Sequence, residues 1–124
     1  MMNYDEFFDP PAPIAKIVLR NIETGERVKD VSVLLDTGAD ISLLPLSAIN
    51  QLQIAPSAET VNLIGFDETR SSSEIFRLQV IFLGKRLTGD YCSIDNEIGI
   101  LGRDVLNEFS IIFDGKNAEW IEQE

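Results

Sequence analysis

The chain has 124 residues, no histidine, one cysteine and a net charge of −11. That length holds one ordinary domain rather than two, and the acidic balance excludes the basic footprint that nucleic-acid phosphates require. Without histidine there are no Ser-His or Cys-His nucleophile pairs and no histidine-based zinc site, so any hydrolysis must rest on carboxylates, on lysine or on a metal held by oxygens.

Residues 1–13 carry Asp5, Glu6 and Asp9 and no basic residue. They lack the charged start and apolar stretch of a signal peptide, and the acidic residues lack the spacing of a metal loop. A mobile arm is expected, with Phe7 and Phe8 as docking points. From residue 14 to 124 the pattern is that of a single, mostly β domain. Ile14 to Arg20 is an apolar run, Glu23-Thr24-Gly25-Glu26 a turn, and Val28 to Leu35 a strand with Val31, Val33 and Leu35 on one face. Ile41 to Leu44 is a second apolar run, and Pro45 can open a short helix over Leu46 to Leu52.

Glu59 to Phe66 and Glu74 to Leu83 read as strands of a long hairpin whose connection, Asp67 to Ser73, is polar. Gly84-Lys85 makes a tight turn before a strand from Arg86 to Ile94. Ile98 to Leu101 is a brief strand, Arg103 to Phe109 a short helix, and Ser110 to Phe113 with Ala118 to Ile121 a final hairpin. Hydrophobic residues make up 44% of the chain, enough for a core without disulfides or a metal. No apolar run is long enough to span a bilayer, so no membrane partner is expected. The lone Cys92 fits a reducing, cytoplasmic setting, and no histidine is present to activate it.

The chemistry concentrates at Leu34-Leu35-Asp36-Thr37-Gly38-Ala39. A carboxylate placed directly after an apolar strand is costly unless it is hydrogen-bonded or neutralised. Gly38 permits close backbone approach, Thr37 offers a hydroxyl to brace the turn, and Ala39 does not crowd it. The tripeptide alone is weak, arising by chance in roughly one chain in twenty of this length. A second segment, Ile98-Gly99-Ile100-Leu101-Gly102-Arg103-Asp104, adds an apolar strand, a glycine and a charged helix start. Read from its position, Asp104 is a helix-start charge.

The two segments in this order resemble the retroviral-type (retropepsin-like) aspartic proteases, including their single-domain bacterial relatives. The match is Leu34 to Ala39 followed by Ile100 to Asp104. The resemblance implies an all-β fold with one or two short helices: the closed barrel of the acid proteases, present as a single lobe. It implies an aspartic endopeptidase in which Asp36 is the catalytic carboxylate and Thr37, Gly38 and Ala39 form the active-site loop. Asp40 and Arg103 are expected to form a supporting ion pair. The hairpin from Leu63 to Phe76 is expected to act as a flap, with Ile64, Gly65, Phe66, Ile75, Leu101 and Val105 meeting substrate. Viral flaps are glycine-rich at the tip, whereas here the tip is charged.

One Asp-Thr-Gly supplies one carboxylate, and peptide hydrolysis by aspartates needs two around one water. A second copy of the chain in a C2 homodimer is therefore the expected partner, beside a peptide substrate. No metal or organic cofactor is implied. The alternative is a dimeric peptide-binding or scaffold module of the same fold with little turnover.

Overall fold

The computed structural model describes residues 1–57, 59–64 and 70–124. Along the chain run β1 (Met2–Asn3), β2 (Ile14–Arg20), β3 (Arg27–Leu35), β4 (Leu43–Pro45), α1 (Leu46–Gln51), β5 (Thr60–Ile64) and β6 (Arg70–Phe82). These are followed by β7 (Lys85–Ile94), β8 (Gly99–Leu101), α2 (Arg103–Leu106), β9 (Ile111–Asp114) and β10 (Glu119–Glu122).

Seven strands form one sheet in the order β2-β3-β8-β4-β7-β6-β5, and a further pairing of β2 with β6 closes six of them into a barrel. Closure removes the open edges of β2 and β6. Alternation along the strands fills the inside: Val31, Val33 and Leu35 of β3 are buried, as are Ala15, Ile17 and Leu19 of β2. Phe76, Leu78, Val80 and Phe82 of β6, the neighbour of β2 across the closure, complete the same cluster.

The turns follow local chemistry. Leu83 and Gly84 both have positive φ, 49° and 79°, as the two-residue hairpin between β6 and β7 requires. The β2–β3 turn is built on Asn21, whose side-chain oxygen accepts the Glu23 N–H at 2.9 Å while its amide donates to the Leu52 carbonyl at 3.0 Å. Gly25 there has φ +76°.

β5 leaves the barrel and, among the described residues, pairs only with β6, from Thr60 opposite Glu74 to Ile64 opposite Arg70. This is the expected hairpin as far as it is described; Gly65 and Phe66 lie outside the described residues. β6 changes partner at Ile75, which pairs with Cys92 of β7.

The N-terminal segment departs from the expected free arm. Met2 and Asn3 pair with Trp120 and Glu119 of β10, the Tyr4 N–H donates to the Ala118 carbonyl at 2.7 Å, and Asp5 bridges Ala12. The physical reason is the core around Trp120, which is 3% exposed and stacked on Phe82: Met2 and Tyr4 pack against that core as part of its margin. Phe7 is 89% exposed.

Candidate functional site

β3 and β8 lie parallel, with Leu34 opposite Ile100 and Leu35 opposite Leu101. The two sequence segments are therefore adjacent in space. β3 ends at Asp36, whose N–H donates to the Leu101 carbonyl at 3.0 Å. The chain then turns tightly: the Ala39 N–H reaches the Asp36 carbonyl at 3.2 Å, and the Gly38 N–H donates to Asp36 Oδ1 at 2.9 Å. One carboxylate oxygen is thus fixed by the loop's own backbone, and the group stays partly exposed.

The loop is held from behind by α2. The Arg103 N–H donates to the Ala39 carbonyl at 2.9 Å, and the Arg103 guanidinium donates to the Thr37 carbonyl at 2.8 Å. This corrects the expected Asp40–Arg103 ion pair. Among the described residues the ion pairs are Arg77–Asp90 and Lys85–Glu108, and Asp40 is exposed. A planar guanidinium donates in fixed directions, and here a backbone carbonyl lies on one of them. Arg103 still ties loop to helix, through Thr37 rather than Asp40.

The stronger tie comes from Asp104. Its carboxylate accepts the Ser42 hydroxyl at 2.6 Å and the Ser42 N–H at 3.0 Å. The Ser42 hydroxyl oxygen in turn accepts the Gly102 N–H at 2.9 Å. Ser42 is 1% exposed, so its N–H and hydroxyl depend on these partners even though Asp104 itself reaches solvent, and a buried donor left without a partner is costly. Asp104 is thus more than a helix-start charge. Its position in the resembling motif marked it, but Ser42 sits within the apolar run Ile41 to Leu44 and carried no signal of its own. Asp104→Ala is expected to leave two buried donors of Ser42 unpaired and to destabilise the fold by about 2 kcal/mol. Urea denaturation measures this, and a loss below about 0.5 kcal/mol would contradict it.

In front of Asp36 lies a cleft of about 680 Å³ between the loop and the hairpin. Its polar lining is Asp36, Asp40, Asn62 and Arg103, and its apolar lining includes Leu43, Val61, Leu63, Ile64 and Ile100. Ile64 lines the cleft and is 67% exposed at the described end of β5. Leu101 and Val105 do not: they are 0% and 1% exposed and belong to the core. On β8, alternation turns Gly99 and Leu101 inward and Ile100 outward, so Ile100 meets the cleft. Ile75 lies where β6 joins the barrel, its carbonyl accepting the Ser57 N–H at 2.7 Å, and does not line the cleft.

Two nearby groups are chemically quiet. Burial pushes the Cys92 thiol up, a hydrogen bond with Ser73 pulls it back in part, and the Asp104 charge adds to the rise. Burial, with Asp104 second, pushes Tyr91 up to about 12, and its hydroxyl donates to the Leu87 carbonyl at 3.0 Å.

The family model described as retroviral aspartyl protease matches residues 12–113. Among solved structures, the EIAV protease complexed with the inhibitor HBY-793 is similar with a TM-score of 0.61 and 22% identity. That match covers 78% of this chain and 86% of that one. The solution structure of the simian foamy virus (mac) protease is similar with a TM-score of 0.53 and 12% identity, over 77% and 92% of the two chains. At these identities the likeness is one of fold. No curated protein sequence matches the chain.

Proposed function

Because the chain belongs to the retroviral aspartyl protease family, we propose that it hydrolyses peptide bonds with a water held between two Asp36 carboxylates, one from each copy of a symmetric dimer. The observation that carries this reading is the placement of Asp36: a partly exposed carboxylate, pinned by the Gly38 N–H at 2.9 Å, at the wall of a cleft beside a hairpin. Thr37 and Gly38 are exposed in the single chain, which leaves the loop open to its symmetry mate.

In the dimer the ionised Asp36 takes a proton from the water as its oxygen attacks the peptide carbonyl carbon. The protonated Asp36 of the second copy gives its proton to the carbonyl oxygen. Collapse of the tetrahedral intermediate breaks the C–N bond, and the leaving amine takes up a proton from the pair. Two carboxylates sharing one water cannot both be ionised without strong repulsion, so the pair holds one proton between them. The substrate is an extended peptide, laid beside β5 by backbone hydrogen bonds. Apolar side chains suit the walls made by Leu43, Val61, Leu63 and Ile100.

The test is cleavage of a mixed peptide library across a dilution series and a pH series. The rate per chain should fall on dilution, and the pH profile should be bell-shaped, since only the singly protonated pair works. Peptide binding without cleavage would replace the protease reading with a binding module. A rate per chain that stays constant where ultracentrifugation finds only monomer would overturn the two-copy site.

A further inference from the structure

β6 serves two structures in turn. From Ile75 to Phe82 it is a barrel strand paired with β7, and from Arg70 to Glu74 it is an arm of the hairpin, paired with β5. β7 runs on past the parting, where Cys92 to Ile94 pair with Leu43 to Pro45 of β4. The register that sets Ile75 opposite Cys92 would set Glu74 opposite Ser93, but the β6–β7 ladder ends before that pair. One side chain stands in its place. The Ser93 N–H donates to the Ser73 hydroxyl oxygen at 2.9 Å, and the same oxygen lies 2.9 Å from the Ser93 carbonyl and 3.1 Å from the Glu74 carbonyl. A single hydroxyl thus meets both backbone groups that Ser93 would have offered to a strand.

Ser73 is 7% exposed, while Ser72 and Glu74 on either side of it are exposed. The alternation of β6 changes phase at the same place. Its buried barrel residues are Phe76, Leu78, Val80 and Phe82, all even-numbered, whereas Ser73 is odd. A period of two cannot hold both, so the strand turns about its axis between Ser73 and Phe76. On the edge away from β7, the Ile75 carbonyl accepts the Ser57 N–H at 2.7 Å. The base of the hairpin is therefore gripped on both edges, by backbone at Ser57 and by a side chain at Ser73. Opposite Ser73 in the β5–β6 ladder is Val61, which lines the cleft in front of Asp36.

We propose that Ser73 is a positioning residue: its hydroxyl clips the base of the β5–β6 hairpin to β7 and so sets where the β5 wall stands over the Asp36 cleft. This rests on the reading of that cleft as a peptide site. The hydroxyl touches no substrate and acts through Val61 and its neighbours on β5. A continued backbone ladder would hold the hairpin flat along β7. A hydroxyl has one proton and here two carbonyls within reach. It can pass that proton from the Ser93 carbonyl to the Glu74 carbonyl as the hairpin tilts, while still accepting the Ser93 N–H. The clip thus holds the hairpin to the barrel and leaves it room to close on a peptide.

The test uses the full chain and one peptide that the wild type cleaves. Ser73→Ala should raise KM about tenfold at unchanged kcat, because ordering a loosened hairpin opposes substrate binding and not bond breaking. Ser73→Thr keeps the hydroxyl and should restore KM to within about twofold. Ser93→Ala removes a hydroxyl 3.4 Å from Ser73 Oγ but keeps the backbone groups of the clip, and should behave as wild type. Amide hydrogen exchange reads the clip without catalysis. In the wild type the Ser93 amide should be protected although the β6–β7 ladder has ended, and a Ser93 amide exchanging as freely as a loop would overturn the clip with no variant needed. In Ser73→Ala the amides of Ser93 and of Thr60 to Ile64 should exchange about tenfold faster, with β2 and β3 unchanged. Unchanged KM and exchange in that variant, or equal acceleration in every strand, would overturn the positioning role. If the wild type cleaves no peptide while β5 alone loosens in Ser73→Ala, the peptide-site reading falls and the clip stands.

Discussion

Asp36→Asn should abolish peptide cleavage, by about 10⁴-fold or more, while leaving the fold intact. The structural cost is small because, among the described residues, the carboxylate makes one hydrogen bond, accepting the Gly38 N–H at 2.9 Å, and an amide oxygen can accept it equally well. The chemical cost is large because an amide can neither take the proton of the water nor hold one to donate. The shared site adds a sharper expectation. When equal amounts of wild-type and Asp36→Asn chains exchange freely, about half of all dimers are hybrids, and activity falls to about half that of the wild-type chains alone. A threefold excess of the variant should bring it to about a quarter by the same statistics. Activity that stays at the unmixed level after prolonged exchange would contradict a site made of two chains.

Gly102→Ala should be among the most damaging single-methyl changes in the chain. A Cβ at residue 102 would lie 2.7 Å from the carbonyl carbon and oxygen of Ile41 and 2.9 Å from the Ala39 oxygen. These are backbone atoms of the segment that follows Asp36, and they cannot rotate away. The φ of −95° at Gly102 is open to any residue, so the penalty comes from contact alone. Forcing the loop away from α2 also strains the Gly102 N–H bond to Ser42. About 3 kcal/mol of destabilisation is expected, lowering the melting temperature by roughly 10 °C, with loss of cleavage. Gly115→Ala is the control: nothing lies within 4 Å of its added Cβ, and no change beyond about 0.5 kcal/mol is expected. Equal effects at the two positions would refute the contact argument, which calorimetry on both variants decides.

The barrel was legible because its strands alternate. Val31, Val33 and Leu35 mark an inward face within β3 itself, and the β2 strand occupies the residues expected of it. The site was legible as two linked segments, since Asp36 and Leu101 are hydrogen-bonded neighbours. What failed was orientation on short elements. β8 has three residues, Gly99 to Leu101, too few for a period to declare its faces, so Leu101 was expected in the cleft and Ile100 was passed over. Arg103 offers several donors, and sequence alone does not say whether Asp40 or the Thr37 carbonyl accepts one. β1 has two residues and no pattern of its own; its place is set by Trp120 at the far end of the chain.

The bonds that build the Asp36 loop also bear on when it can form. Asp104 to Ser42, Gly102 to Ser42 and Arg103 to Thr37 span 62, 60 and 66 residues. Contacts this distant in sequence bring the closure of a long loop before any reward, and they form late. A chain emerging from the ribosome exposes Asp36 long before it has made Gly102, Arg103 or Asp104. During that interval the carboxylate has neither its α2 brace nor its β8 neighbour, and β9 has yet to be synthesised. The order of the two segments thus keeps a growing chain from finishing the Asp36 loop until Gly102, Arg103 and Asp104 have been made.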